Sequence, residues 1–171
     1  MKKGFEVNII TLDFETFFSD DYTLSKMTTE AYIRDPRFEA HGVGVRLPNG
    51  NSYWWDSHEL IGCDIEWTNV AVLCHHAAFD GLILSHHYGI KPARWLDTYS
   101  MAAYLFPNAP KSLEALAARF GLNPKTVPYE QIKGKHWGEL LPTTRDMLRD
   151  GCLHDCELTY QIFTKMMSGD Y

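Results

Sequence analysis

Hydrophobic and polar residues alternate most regularly near the start of the chain, over residues 9–17, Ile-Ile-Thr-Leu-Asp-Phe-Glu-Thr-Phe. The period of two and the β-branched and aromatic content predict a strand. Side chains alternate faces along a strand. Ile10, Leu12 and Phe14 therefore point one way, into a core, while Asp13 and Glu15 leave together from the other side. Residues 18–40 are a polar connection in which Thr28 or Thr29 is placed to cap a short helical turn, with Pro36 ending what precedes it. Two further alternating runs, 41–47 and 52–56, flank Pro48-Asn-Gly-Asn and predict a hairpin. The first three strands thus form an antiparallel meander.

From Ser57 the period changes. A short helix over 57–62 is followed by the compact apolar strand 70–74 and a helical run over 81–88 that stops at Gly89. A short strand, Arg94-Trp-Leu, carries Asp97-Thr98 at its end and leads into a helix through 99–105. Ser112 caps an amphipathic helix that stops at Gly121, and a last helix runs from about 143 to 167. Leu148, Cys152, Asp155, Thr159 and Ile162 lie near one of its faces. Strands first and strand–helix units afterwards predict an α/β fold. Its mixed five-stranded sheet has three antiparallel strands, then two parallel ones, flanked by helices. The 171 residues make one domain, 1–171, without repeats or linkers. Between Pro124 and Pro142 the prolines and glycines predict a long loop. There Lys125, Lys133, Lys135 and His136 interleave with Tyr129 and Trp137, a mix that suits either contact with a single nucleic-acid strand or a solvated surface.

Composition narrows the setting. The chain is 45% hydrophobic and 22% charged, as in ordinary soluble globular proteins. It has no run near the roughly 20 apolar residues of a membrane span. Its start, Met-Lys-Lys-Gly-Phe-Glu, meets a glutamate before any apolar stretch, unlike a signal peptide, so the expected compartment is the cytoplasm. Cys63, Cys74, Cys152 and Cys156 include no C-x-x-C pair and are expected to be buried free thiols. The net charge of -6 does not exclude a nucleic-acid partner, because a site that holds cations is itself acidic.

The candidate chemistry begins with Asp13 and Glu15. Two carboxylates side by side repel unless a divalent cation lies between them; a solvated acidic edge is the plainer alternative for D-x-E alone. Two more acids sit in telling places. Asp80 follows a strand and opens a helix, in H-H-A-A-F-D, where a helix cap is its simplest role. Asp155, in C-L-H-D-C-E-L-T-Y, lies on the apolar side of the last helix, where burial is expensive unless a partner such as a metal is present.

Taken in order, the D-F-E-T strand, the F-D at a strand–helix junction, the D-T after the next strand and a final helix with H-D-x-E-L-T resemble the exonuclease motifs of the DEDD 3′→5′ exonucleases. These are ribonuclease H-like proteins, and the likeness is greatest to the proofreading domain of phage and bacterial family A DNA polymerases. It extends from about residue 8 to residue 167. The resemblance implies that Asp13, Glu15, Asp80 and Asp155 are catalytic and hold two Mg²⁺ or Mn²⁺ ions roughly 3.5–4 Å apart. One ion activates a water and the other stabilises the departing 3′ oxygen. It assigns Thr16 to the terminal nucleotide and Phe17 or Phe18 to an apolar wedge, with Phe79 and His76 among the substrate contacts. His76 stands where the family usually has asparagine. Neighbouring His75, His86 and His87 lack a regular zinc-ligand spacing. The family's water-orienting residue, a tyrosine four residues or a histidine five residues before the last aspartate, is replaced here by Gly151 and Asp150. His154 lies about 100° round the helix from Asp155 and is expected to face elsewhere.

The implied function is removal of nucleoside monophosphates from single-stranded DNA 3′ ends, proofreading with a fused or separate DNA polymerase in a bacterial or phage-infected cell. Two alternatives stand beside it. One is a catalytically weak or silent module that binds 3′ ends or braces a polymerase, motivated by Gly151 and His76. The other is a 3′→5′ exoribonuclease of the ribonuclease D kind.

Overall fold

The strand Asn8–Thr16 (β1) is the middle of the sheet, and everything else is arranged on its two faces. The structure, a computed structural model, describes residues 8–123, 127, 129–169 and 171. The amino-terminal tail read above, together with Pro124 and Lys125, lies outside them. Strands Ala40–Arg46 (β2) and Ser52–Trp55 (β3) extend the sheet antiparallel on one side. Val70–Cys74 (β4) and Arg94–Asp97 (β5) extend it parallel on the other, giving the order β3-β2-β1-β4-β5. This is the mixed sheet that the residue pattern predicts. Gly50 takes φ 89° in the β2–β3 turn, a conformation that suits its lack of a Cβ.

Helices Thr29–Arg34 (α1), Ser57–Gly62 (α2) and Ala77–Tyr88 (α3) meet one face of the sheet. Ile10, Leu12 and Phe14 pack there with Val43, Val45 and Val72 from the sheet and with Tyr32, Ile33, Leu60, Ile83 and Leu84 from the helices. Each large aliphatic side chain buried in this way contributes about 1.5–3 kcal/mol. Thr28 is the α1 cap, accepting from the Ala31 N–H, and Asp56 with Glu59 forms a capping box on α2. Thr98–Leu105 (α4) and Leu113–Arg119 (α5) join the long final helix Pro142–Ser168 (α7) in a second cluster that includes Ala102, Leu116, Leu158 and Ile162. Along its length α7 also covers the other face of β1, β2, β3 and β4.

Two stretches differ from expectation. Asp80 lies inside the first turn of α3, because that helix begins at Ala77 rather than near residue 80. The stretch before α7 is less irregular than its prolines and glycines suggest. It contains the short helix Tyr129–Ile132 (α6) and a 3-10 turn at Trp137–Glu139, anchored by Ile132, Leu140 and Leu148. Among the described residues no helix is long and apolar enough to cross a membrane.

Candidate active site

Asp13 and Glu15 face α7, and the glycine across the sheet from Asp13 decides how closely that helix can come. Asp13 is paired across the sheet with Gly44, and Glu15 with Gly42. A Cβ on Gly44 would stand 2.8 Å from Cys152 Sγ and 2.9 Å from Cys156 Sγ; one on Gly42 would overlap the Trp54 indole. Bare backbone at Gly44 lets α7 lie against the strand, and at Gly42 it makes room for the Trp54 side chain of β3. Cys152 then donates to the Asp13 carbonyl at 3.1 Å and stands 3.5 Å from Asp13 Oδ2. Ligand atoms of Asp13, Glu15 and Cys152 all lie within 4.8 Å of one another.

Asp80 reaches the same strand from α3. It is 2% exposed, and its Oδ1 accepts the N–H of Phe14, the residue between the two β1 acids, at 2.9 Å. Burial pushes its carboxyl well above the usual carboxylate range, and the Asp13 charge adds to this despite the Phe14 hydrogen bond. Asp155 lies on α7 and is 1% exposed. Cys156, the next residue, is also buried. A hydrogen bond with Cys152 draws its thiol down, but burial and the charges of Asp13, Asp155 and Asp80 hold it above its ordinary value. Asp80 is thus fixed to the strand that carries Asp13 and Glu15, and Asp155 is buried on α7, but neither Asp80 nor Asp155 belongs to the Asp13–Glu15–Cys152 ligand cluster. Carboxylates as close as those of Asp13 and Glu15 repel in low dielectric, and a divalent cation reverses the sign of the interaction. The donors are hard carboxylate oxygens, which suit magnesium or manganese.

Next to Glu15 opens a cavity of about 300 Å³ lined by Phe14, Glu15, Thr16, Phe18, Thr23, Leu24, Tyr32, Phe79 and Tyr129. Phe18 meets Tyr129 edge-on at 6.4 Å, and Thr16 Oγ1 is 2.8 Å from the Tyr32 hydroxyl. Of the residues named as substrate contacts, Thr16, Phe18 and Phe79 are here and the other two are not. Phe17 is 8% exposed and stacks inside on His136 at 4.3 Å and Tyr22 at 5.9 Å. His76 is exposed at the start of α3 with φ 74°. Its N–H donates to Asp97 and its ring edge meets Tyr99. A positive φ on a residue other than glycine is uncommon, and the Asp97 carboxylate that holds it also caps α4. Leu24 and Tyr32 carry no motif and were not legible as cavity residues in the sequence. Cys152 left a fainter signal, one helical turn before Cys156 and on the same face as Asp155.

The remaining sequence candidates separate. His75 meets Thr98, His86 meets Arg34 and His87 meets the Ile33 carbonyl. Among the described residues Asp13, Glu15 and Cys152 form the only ligand cluster of three or more. In the segment before α7, Lys133 pairs with Asp20 at 2.5 Å and His136 with Glu39 at 2.5 Å. Trp137 lies between Trp54 and the guanidinium groups of Arg145 and Arg149. These groups hold the segment down, and Tyr129 is the aromatic it delivers to the cavity. On α7, Gly151 is buried, Asp150 is exposed and His154 lies in a groove with Asn123 and Leu158, on a different side of the helix from Cys152.

No family model matches the chain, and no curated protein matches it in sequence. Solved structures do match it in shape. Brucella melitensis NrnC superposes with a TM-score of 0.64 at 14% identity, over 97% of this chain and 75% of that one. Escherichia coli RNase D, an exoribonuclease involved in structured RNA processing, gives 0.57 at 12% identity, over 96% and 41% of the two chains. The catalytic core of RRP6 from Trypanosoma brucei gives 0.55 at 14%, over 94% and 45%. The chain therefore spans less than half the length of the last two. These likenesses establish the fold, which is ribonuclease H-like.

Proposed function

We propose that the protein is a divalent-metal-dependent 3′→5′ exonuclease that releases nucleoside monophosphates from a single-stranded end. The observation that carries this is the meeting of Asp13 and Glu15 of β1 with Asp80 of α3, held through the Phe14 N–H, beside a cavity walled by aromatic residues. Asp13, Glu15, Asp80 and Asp155 are the residues that would hold the cations. Once bound, such ions supply an acidified water and neutralise charge on the leaving 3′ oxygen.

The chain's own groups do the positioning. Phe18, Phe79 and Tyr129 offer faces and edges to a terminal base, and Thr16 lines the cavity beside Glu15. A volume of about 300 Å³ is at the lower end of the roughly 300–1,000 Å³ of ligand pockets, a size for one nucleotide end. Gly151 brings no side chain to the water. Loss of a general acid or base lowers a rate by about 10²–10⁴-fold and leaves metal-assisted hydrolysis in place.

DNA is the substrate that the motif set favours, with a polymerase as partner. The RNase D likeness favours RNA, since that protein is an exoribonuclease, and NrnC, solved with Mg²⁺ and with pGG, favours a metal-dependent nucleotide end. Incubating the protein with matched end-labelled DNA and RNA single strands and Mn²⁺ tests both. Stepwise shortening from the 3′ end that stops in Asp13→Ala is expected. Binding without shortening would mean a silent end-binding module, and the stronger substrate identifies the sugar.

A further inference from the structure

The acids of β1 are joined by a sulfur that a magnesium site does not need. We propose that Cys152, with Asp13 and Glu15, forms a mixed oxygen–sulfur site that takes a thiophilic divalent cation of the zinc or cadmium type more tightly than magnesium or manganese. The proposal rests on the metal-holding part of the reading above and adds a selectivity to it.

Around a tetrahedral ion with metal–oxygen distances of about 2.0–2.2 Å and a metal–sulfur distance of about 2.3 Å, an oxygen and a sulfur ligand stand about 3.6 Å apart. Cys152 Sγ is 3.5 Å from Asp13 Oδ2, so the two atoms already span one ion. Glu15 completes a set within 4.8 Å. The thiol is placed by packing: it is completely buried on α7, and Gly44 opposite leaves it room to touch β1. Cys74 and Cys156 are buried nearby, yet neither belongs to the cluster.

Hard ions and soft ions use this set differently. Magnesium demands oxygen ligands and leaves the thiol protonated, donating to the Asp13 carbonyl. A thiophilic ion forms a metal–sulfur bond, the S–H bond breaks, and its proton leaves to bulk solvent. Zinc or cadmium at this position displaces the hard ion from Asp13 and Glu15, which makes it an inhibitor of metal-dependent turnover.

The test is a titration of the chelator-stripped full chain with Cd²⁺ alone, followed by the ultraviolet thiolate-to-cadmium charge-transfer band. One equivalent is expected to produce the band in the wild type, in Cys74→Ser and in Cys156→Ser. Cys152→Ser is expected to lose it and to bind Cd²⁺ more weakly by at least the roughly 10–100-fold that follows loss of an outer-shell partner. Zn²⁺ at matched concentration should erase the band and Mg²⁺ should not. A band that survives Cys152→Ser, or no band in the wild type, overturns the assignment. If Cys152→Ser does not fold, Asp13→Asn decides, since an ion shared by both ligands loses its band there and an unshared one keeps it. Mn²⁺-dependent strand shortening is read separately, on cadmium-free aliquots of the same preparations. Shortening without a sulfur band overturns the cysteine assignment alone, and a sulfur band without shortening overturns the nuclease reading alone.

Discussion

Gly44→Ala probes the contact on which the site depends. The new Cβ would lie 2.8 Å from Cys152 Sγ, 2.9 Å from Cys156 Sγ and 3.2 Å from the Cys152 carbonyl oxygen. Non-bonded heavy atoms settle at about 3.5–4.0 Å, so α7 must retreat by roughly 0.7 Å or the sulfurs must turn away into space already filled. Overpacking of this kind destabilises by about 1–3 kcal/mol. For a chain of this size each 1 kcal/mol lowers the melting temperature by about 2–4 °C, so a fall of roughly 2–12 °C is expected. The displacement also separates Asp155 on α7 from Asp13 on β1. A misplacement approaching 1 Å costs on the order of 10²-fold in rate. Thermal melts and urea titrations give the first quantity, and strand shortening at saturating Mn²⁺ gives the second. Removing the clashing sulfurs in the triple variant Gly44→Ala/Cys152→Ala/Cys156→Ala should recover stability relative to the sum of the single effects, by about 0.5–3 kcal/mol. Wild-type melting and turnover in Gly44→Ala would refute the claim that bare backbone at 44 sets the distance between helix and strand.

Other substitutions separate the roles of neighbouring residues. Phe18→Ala or Phe79→Ala should each remove about 1–3 kcal/mol of base contact, read as a higher KM for single strands, with a smaller fall in melting than Phe17→Ala because each ring is only partly buried against its hydrophobic cluster. Phe17→Ala should instead lower stability by about 3–5 kcal/mol, because that ring is packed against Tyr22 and His136. Asp80→Asn should abolish Mn²⁺-dependent cleavage yet raise the melting temperature of chelated protein at neutral pH. The folded state holds the Asp80 proton more tightly than the unfolded chain does, so metal-free stability falls as pH rises above 3.8; the variant lacks that slope. Arg46→Ala removes the guanidinium that lies 2.6 Å from Glu157 and 3.6 Å over the Tyr160 ring. The expected loss is about 1–2 kcal/mol, below the roughly 3–5 of a fully buried pair because the Glu157 side chain is 39% exposed. Burial opposes ionisation of Glu157, but hydrogen bonds from Arg46 and Gln161 hold its carboxyl below the usual range. The wild type therefore loses this stabilisation as pH falls below about 4.5, and the variant's acid limb should be flatter.

What the sequence determined by itself was local and periodic. Alternation over residues 9–17 fixed that Asp13 and Glu15 leave one face of a strand while Ile10, Leu12 and Phe14 leave the other. The Pro48-Asn-Gly-Asn turn fixed an antiparallel neighbour, and the later strand–helix units fixed the parallel side of the sheet. These features depend on backbone geometry and on which residues tolerate a turn, and both act over a few positions. Only the tertiary structure decided what stands across from them. His-Gly-Val-Gly-Val reads as an ordinary strand until pairing sets Gly44 beside Asp13 and Gly42 beside Glu15, and until α7, more than 100 positions later in the chain, lies on top. It separated Phe18, in the cavity, from Phe17, in the core, because a register shift after Glu15 ends the alternation there. It also turned Cys152 from one thiol among four into the third member of a ligand cluster. Proximity of that kind comes from packing one element on another, and no period along the chain records it.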